Sequence, residues 1–253
     1  AVCALRSHLE NEGIKPGDRV AVYMRNCPEY LIAFYGIWSM GAVILPINSK
    51  LHTKEVGWIL ENAGCAYVLC EESSISEINF PGVTVFNPKW QQFDSNIHIP
   101  PVKRSSTDLA WLFYTSGTTG RPKGVMITHG MIKTMALSYF ADVDQVHPSD
   151  TTLYAAPMSH GAGLYSIMHV LAGARHAIPI SGGFDEEEIF GLAETLQNIH
   201  MFAAPTMVKR LTTFSRKNGY DGDGIRTIVY AGGPMYLSDI IEAVEQFLSL
   251  IHI

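Results

Sequence analysis

The chain is poor in cysteine and carries no excess of positive charge, and both shortages narrow what it can be. Its 4 cysteines, Cys3, Cys27, Cys65 and Cys70, form no C-x-x-C pair. Without metal-ligand spacing or a dense disulfide pattern they read as buried or half-buried free thiols of a reducing compartment, and a cytoplasmic location is expected. The 18 basic residues are outnumbered by 24 acidic ones, a formal net charge of −6. That argues against a nucleic-acid partner, which needs a concentrated basic face. The pairs Lys103-Arg104 and Lys209-Arg210 read as solvated surface. No secretory segment opens the chain. The uncharged run Leu31–Ile47 is shorter than the roughly 20 apolar residues of a membrane span and is split by Gly41, so no span is expected.

What is present is an ordinary globular composition, 47% hydrophobic and 17% charged in 253 residues. A chain of this length buries about 70–75% of its unfolded surface, enough for a sizeable core. Helix and strand patterns alternate. Val2–Glu12 reads as a helix closed by Gly13, and Arg19–Met24 as a strand. A helix starts at Pro28, followed by a strand Ala42–Ile47. Lys54–Asn62 is a helix with Thr53 as its cap and Gly64 as its stop. Strands follow at Ala66–Glu71 and Val83–Asn87. After the polar, aperiodic stretch Asn87–Thr107 the alternation resumes. Strands are expected at Leu109–Tyr114, Thr151–Ala155, His176–Ile180, Met201–Ala204 and Arg226–Tyr230. Helices are expected at His129–Ala141, Gly163–Leu171, Glu186–Gln197, Met207–Lys217 and Ser238–Phe247, with Asp185 capping the third. The expected fold is α/β, mostly parallel sheets flanked by helices, with a first subdomain over 1–106 and a second over 107–253. Residue 1 is Ala and the last residues, Ser249–Ile253, stop without a terminating element, so the fold is expected to be incomplete at both ends.

The most informative stretch is Leu112–Gly124, LFYTSGTTGRPKG. A strand runs into a loop of hydroxyls and glycines and then a lysine. Thr115, Ser116, Thr118 and Thr119 offer hydroxyl donors. Gly117 and Gly120 permit positive φ and close approach to a ligand. Successive backbone N–H groups in such a turn make an anion-binding concavity, and Lys123 adds a mobile point charge suited to phosphate. The spacing is not the GxxxxGK[ST] of kinases and simple NTPases, because Gly124 stands where a magnesium-binding hydroxyl belongs. A solvent-exposed turn before a helix is the plainer alternative, but such a turn requires neither so many hydroxyls nor the lysine.

LFYTSGTTGRPKG closely resembles the phosphate-binding motif of the adenylate-forming superfamily, which includes acyl- and aryl-CoA synthetases, luciferases and peptide-synthetase adenylation domains. Further stretches carry the same resemblance. RNCPEYLIAFYGIWSMGAVILPIN (Arg25–Asn48) looks like an early scaffold segment. AAPMSHGAGLY (Ala155–Tyr165) resembles a segment whose histidine, here His160, sits where acyl group and adenylate meet. There Gly161 and Gly163 let the chain pass close to the substrate. AAPTM (Ala203–Met207) resembles a wall of the acyl pocket, with Ala203 and Ala204 leaving volume. YAGGPM (Tyr230–Met235) resembles the turn against adenine, with Tyr230 and Ala231 facing the substrate and Gly232, Gly233 and Pro234 the nucleotide. His169 and His176 lack such context and read as ordinary core histidines. Asp221-Gly-Asp-Gly lacks the other ligands of a calcium loop and reads as a turn.

The resemblance implies ATP-dependent activation of a small-molecule carboxylic acid to an acyl-adenylate, then thioester formation with CoA. Lys123 and His160 are the implied catalytic residues, and ATP, Mg2+ and CoA the implied cofactors; no residue is assigned as a metal ligand. It also implies a Y-G-x-T-E motif, a ribose-binding aspartate and a small C-terminal domain with a lysine. None of these occurs here, so the 253 residues alone are expected to turn over poorly. Alternatives are an adenylation domain that loads a carrier protein, a luciferase-type oxygenase and a non-catalytic ATP-binding module. Nothing in the sequence fixes an oligomeric state or the acid.

Overall fold

A computed structural model describes residues 1–76, 78–87, 98–115 and 121–247, and the backbone alone of 250–252. The chain divides into two compact units, Ala1–Thr134 and Met135–Ile253.

The first unit holds α1 (Val2–Asn11), β1 (Arg19–Tyr23), α2 (Pro28–Ser39), β2 (Val43–Pro46), α3 (Thr53–Ala63), β3 (Tyr67–Cys70), β4 (Thr84–Phe86), β5 (Leu109–Thr115) and β6 (Lys123–Thr128). Its sheet runs β4-β3-β1-β2-β5-β6. All neighbours are parallel except β5 and β6, which pair antiparallel from Leu109↔Thr128 to Thr115↔Lys123. The alternation of a strand sends successive side chains to opposite faces. On one face Ala21, Leu45, Val68 and Leu112 pack with Val56, Ile59 and Leu60 of α3. On the other Trp111 meets Phe34 of α2 edge-on, centroids 4.9 Å apart. Two details differ from expectation. The cap of α3 is His52, whose Nδ1 accepts from the Lys54 amide at 3.2 Å, rather than Thr53. The border between units falls at 134/135 rather than 106/107, because β5 joins the first sheet through the pair Ile44↔Trp111.

The chain passes from one unit to the next along α4 (His129–Ser138), which ends in a π-helical turn, Tyr139–Val143. The second unit then has β7 (Thr151–Leu153), α5 (Gly161–Ala172), β8 (Arg175–Ala177), α6 (Glu186–Leu196), β9 (Ile199–Ala203), α7 (Pro205–Asn218), β10 (Ile225–Tyr230), α8 (Leu237–Phe247) and β11 (Leu250–His252). The sheet is parallel throughout, in the order β11-β10-β9-β7-β8. Residues 250–252 add a parallel strand beside β10, with Leu250 opposite Thr227. Asp185 caps α6 as expected, accepting from the Glu188 amide at 2.9 Å. Three glutamates in the first turn suit the helix dipole. Leu153, Met201, Ala203, Ile228 and Tyr230 face a core built by α6, α7 and α8, where Phe190 stacks on Tyr220 at 4.7 Å. No helix among the described residues is long and apolar enough to cross a membrane.

Candidate functional site

In the first unit β5 ends at Thr115 and β6 begins at Lys123, so the glycine- and hydroxyl-rich motif follows the carboxyl end of β5 in sequence. Parallel α/β sheets bind ligands at that end of their strands. Thr115 and Lys123 are paired across the base of the hairpin and both are exposed. The pairing places the lysine on a strand edge rather than in a loop. Tyr114 anchors this base. Its hydroxyl donates to Asn62 Oδ1 at 2.7 Å, its ring meets Trp58 edge-on, and it lies across Gly124 so closely that a Cβ there would sit 2.9 Å from it. Ser116, Gly117, Thr118, Thr119 and Gly120 lie outside the described residues.

In the second unit the parallel pairs Leu153↔Met201 and Tyr230↔Ala203 bring three strand ends side by side. His160 follows the end of β7 and starts α5; its amide donates to Pro157 O at 3.1 Å. Its Nδ1 lies 2.9 Å from the Ser159 hydroxyl, and burial pushes its pKa below the ordinary value, so the ring is neutral near pH 7. Gly163 is buried, and its amide donates to His160 O at 3.0 Å. After β10, Ala231, Gly232, Gly233 and Pro234 form an exposed turn. Gly232 has φ of +90°, a conformation that favours glycine, with open space where a Cβ would stand. The Ala231 amide donates to Ala203 O at 3.3 Å and ties the turn to β9.

A cavity lies between α5 and the sheet, lined by Tyr139, Tyr154, Tyr165, His169, His200 and Phe202 among others. As the side chains stand it has room for about one water molecule. Residues of both strand parities line it, Met201 of β9 and Leu153 of β7 among them. Along β9, His200 and Phe202 point to the α5 side, whereas Ala203 belongs to the core on the opposite face. On β10, Val229 lines the cavity and Tyr230 packs into that same opposite core. Ala203, Ala204, Tyr230 and Ala231 are thus at the strand ends without lining the cavity, as are His160, Gly161 and Gly163. The aromatic and histidine lining was missed by sequence reasoning. The signal available was the i, i+2 spacing of His200 and Phe202, read against a strand whose other face is Ile199, Met201 and Ala203.

Beside the cavity is a buried charge cluster. His200, 1% exposed, has Nε2 3.2 Å from Asp150 Oδ2 and Nδ1 3.8 Å from Asp144 Oδ2. Both carboxylates also meet the Arg226 guanidinium, at 3.2 and 3.3 Å. Burial pushes the Asp144 carboxyl up, but the Thr227 hydroxyl and Arg226 outweigh it and hold the group below its ordinary value. For His200, burial outweighs the two carboxylates and lowers its pKa. Among the described residues no group of three or more His, Cys, Asp or Glu side chains is placed to hold a metal ion.

Comparison with known proteins identifies the family. The profile of the family described as AMP-binding enzyme matches residues 1–253. A feruloyl-CoA synthase of an Amycolatopsis species is 28% identical over 238 residues, covering 92% of this chain and 48% of that protein. A long-chain-fatty-acid–CoA ligase, FadD13 of Mycobacterium tuberculosis, is 30% identical over 257 residues, covering 93% and 50%. Among solved structures, the inhibitor-bound N-terminal domain of FACL13 from Mycobacterium tuberculosis superposes with a TM-score of 0.84 at 27% identity, over 99% of this chain and 65% of that one. The chain spans about half the length of the curated relatives it matches.

Proposed function

The chain belongs to the AMP-binding enzyme family, and from that membership we propose that the protein containing it is an acid–CoA ligase. It joins a carboxylic acid to ATP as an acyl-adenylate and then passes the acyl group to CoA. The observation that supports the reading is that Thr115, at the carboxyl end of β5, pairs with Lys123 at the start of β6, the two residues that bracket the hydroxyl- and glycine-rich motif. In the first half-reaction a carboxylate oxygen attacks the α-phosphorus and pyrophosphate leaves. In the second a thiol attacks the acyl carbon and AMP leaves with one carboxylate oxygen.

The residues suit the parts that this reaction needs. Negative charge builds on the departing pyrophosphate, and a prearranged cation and loop donors stabilise it. Lys123 is exposed on a strand edge, where its ammonium is free to reach phosphate. Thr115 presents its hydroxyl beside it. Ser116, Gly117, Thr118, Thr119 and Gly120 are assigned to the phosphates on their chemistry alone. The exposed turn Ala231–Pro234 is assigned to the adenine, and His160, kept neutral by burial, to the junction of acyl group and adenylate. Mg2+ usually takes one or two protein carboxylates and rides on the phosphates. It is therefore proposed to enter the site with the nucleotide. A cytoplasmic location is part of the same proposal.

The test is acid-dependent exchange of pyrophosphate into ATP by the complete protein, over short, long and aromatic acids. Exchange that one class of acid stimulates, and that Lys123→Ala abolishes, is the expected result. ATP binding without exchange for any acid contradicts the reading and favours a non-catalytic nucleotide module.

A further inference from the structure

One group in the cavity has chemistry that acid activation leaves unused. His169, in the third turn of α5, is 3% exposed and lines the cavity with Tyr139, Tyr165 and Phe202. Its Nδ1 lies 2.9 Å from the carbonyl oxygen of Tyr165, one turn earlier. A carbonyl only accepts, so Nδ1 carries the proton and Nε2 a lone pair. Burial, first, holds the ring's pKa down at about 4, which keeps it neutral at physiological pH. Nε2 is buried and has no hydrogen-bond partner among the described residues. A buried acceptor left without a donor is costly, and native interiors rarely tolerate one. His200 stands edge-on at 5.1 Å but is turned to Asp150. The other close walls are aromatic: Tyr139 meets His169 at 6.5 Å and Tyr165 at 5.7 Å, and Tyr165 meets Phe202 at 5.3 Å.

Resting on the acid-activation reading above, we propose that His169 is a specificity-determining residue at the floor of the acid pocket, accepting a hydrogen bond from a hydroxyl at the far end of the acid. The substrate class is then a hydroxyl-bearing aromatic acid. Its flat ring lies among Tyr139, Tyr165 and Phe202, and its carboxylate points back to the strand ends. A plain fatty acid leaves Nε2 unsatisfied and is disfavoured. The space as it stands is about one water in size, so the acid makes room by turning the half-buried Phe202 ring. A site built to hydrogen-bond a substrate hydroxyl rejects the analogue that lacks it far more strongly than an apolar pocket rejects a missing methylene.

The experiment compares matched acids in pyrophosphate exchange by the complete protein: 4-hydroxycinnamate against cinnamate, and 4-hydroxybenzoate against benzoate. The expected result is a kcat/KM about ten-fold or more higher for the hydroxylated member. His169→Phe equalises the pair, while His169→Gln, which keeps an acceptor, retains most of the preference. Equal kcat/KM in the unaltered protein, as a trapped water on Nε2 predicts, overturns the inference and leaves acid activation standing. So does a preference that survives His169→Phe. No exchange with any acid overturns both. Should His169→Phe not fold, nitrogen-15 NMR of the unaltered protein decides. The Nε2 resonance moves upfield with the hydroxylated acid and not with its partner; no movement with either overturns the inference.

Discussion

Phe202 packs its ring so tightly against Gly161 that a Cβ on the glycine would overlap it. The first turn of α5 approaches β9 this closely only because residue 161 has no side chain. Phe202, His200 and Met201 of β9 line the cavity, whereas Ala203 packs into the core on the other side of the sheet. Gly161→Ala therefore overpacks the junction and destabilises the protein by about 1–3 kcal/mol. Thermal unfolding checks this, and adding Phe202→Leu recovers part of the loss. An unchanged melting temperature in the single variant contradicts the packing.

Phe202→Ala has the opposite effect on volume. It removes the ring that closes the cavity toward Gly161 and admits bulkier acids. The stability loss stays below the roughly 3–5 kcal/mol of a fully buried phenylalanine, because Phe202 is only half-buried. Exchange kinetics with a graded series of acids are expected to shift toward the larger members.

Arg226 neutralises two carboxylates that have left water almost completely, Asp144 and Asp150, with side chains 7% and 1% exposed. Removing one partner of a buried pair costs about 3–5 kcal/mol. Arg226 itself is 28% exposed, so Arg226→Ala is expected at the lower end, about 3 kcal/mol. Chemical denaturation gives the value. A change within about 0.5 kcal/mol, the size of an ordinary surface substitution, contradicts the cluster's role.

Acid stability follows from the buried histidines. Burial, with help from His200 and His176 and against Tyr165 O and Asp150, sets His169 at about 4 rather than 6.5. A lowered histidine pKa means that the unfolded chain takes up the proton first. The contribution is complete above about pH 6.5 and is lost as pH falls toward 4, by about 3 kcal/mol in total at roughly 1.4 kcal/mol per pH unit. Urea midpoints from pH 7 to 4 are expected to fall, and to fall less steeply in His169→Gln. Identical slopes contradict the assignment.

Lys123→Ala separates chemistry from folding. The side chain is exposed, so stability changes by no more than about 0.5 kcal/mol. Loss of a charge aimed at a developing anion lowers exchange by about 100-fold or more. A parallel loss of both properties contradicts the assignment of Lys123 to phosphate.

The parallel α/β architecture was legible because the alternating pattern and the caps are local signals, as Asp185 ahead of three glutamates illustrates. The strand Lys123–Thr128 was not, since KGVMIT is too short and too exposed to carry a burial pattern, and its pairing with Leu109–Thr115 is set across a loop. The border between units was misplaced for a related reason. The polar stretch before Asp108 looks like a connector, but Trp111 finds its partner in Ile44, far back in the chain. The neighbouring parallel strands β7, β9 and β10 set the segments that follow them, around His160, Ala204 and Gly232, at one end of the sheet. Ala203 packs into the core with α6, α7 and α8 and does not line the cavity, a placement that the short AAPTM motif does not reveal.

The most direct measurement of the central claim follows the carboxylate oxygens. The complete protein is supplied with an acid labelled with oxygen-18 in both carboxylate positions, together with ATP and CoA, and the products are weighed by mass spectrometry. Attack of the carboxylate on the α-phosphorus predicts one labelled oxygen in AMP and none in pyrophosphate. Label in inorganic phosphate, with ADP as the nucleotide product, would contradict an adenylate intermediate.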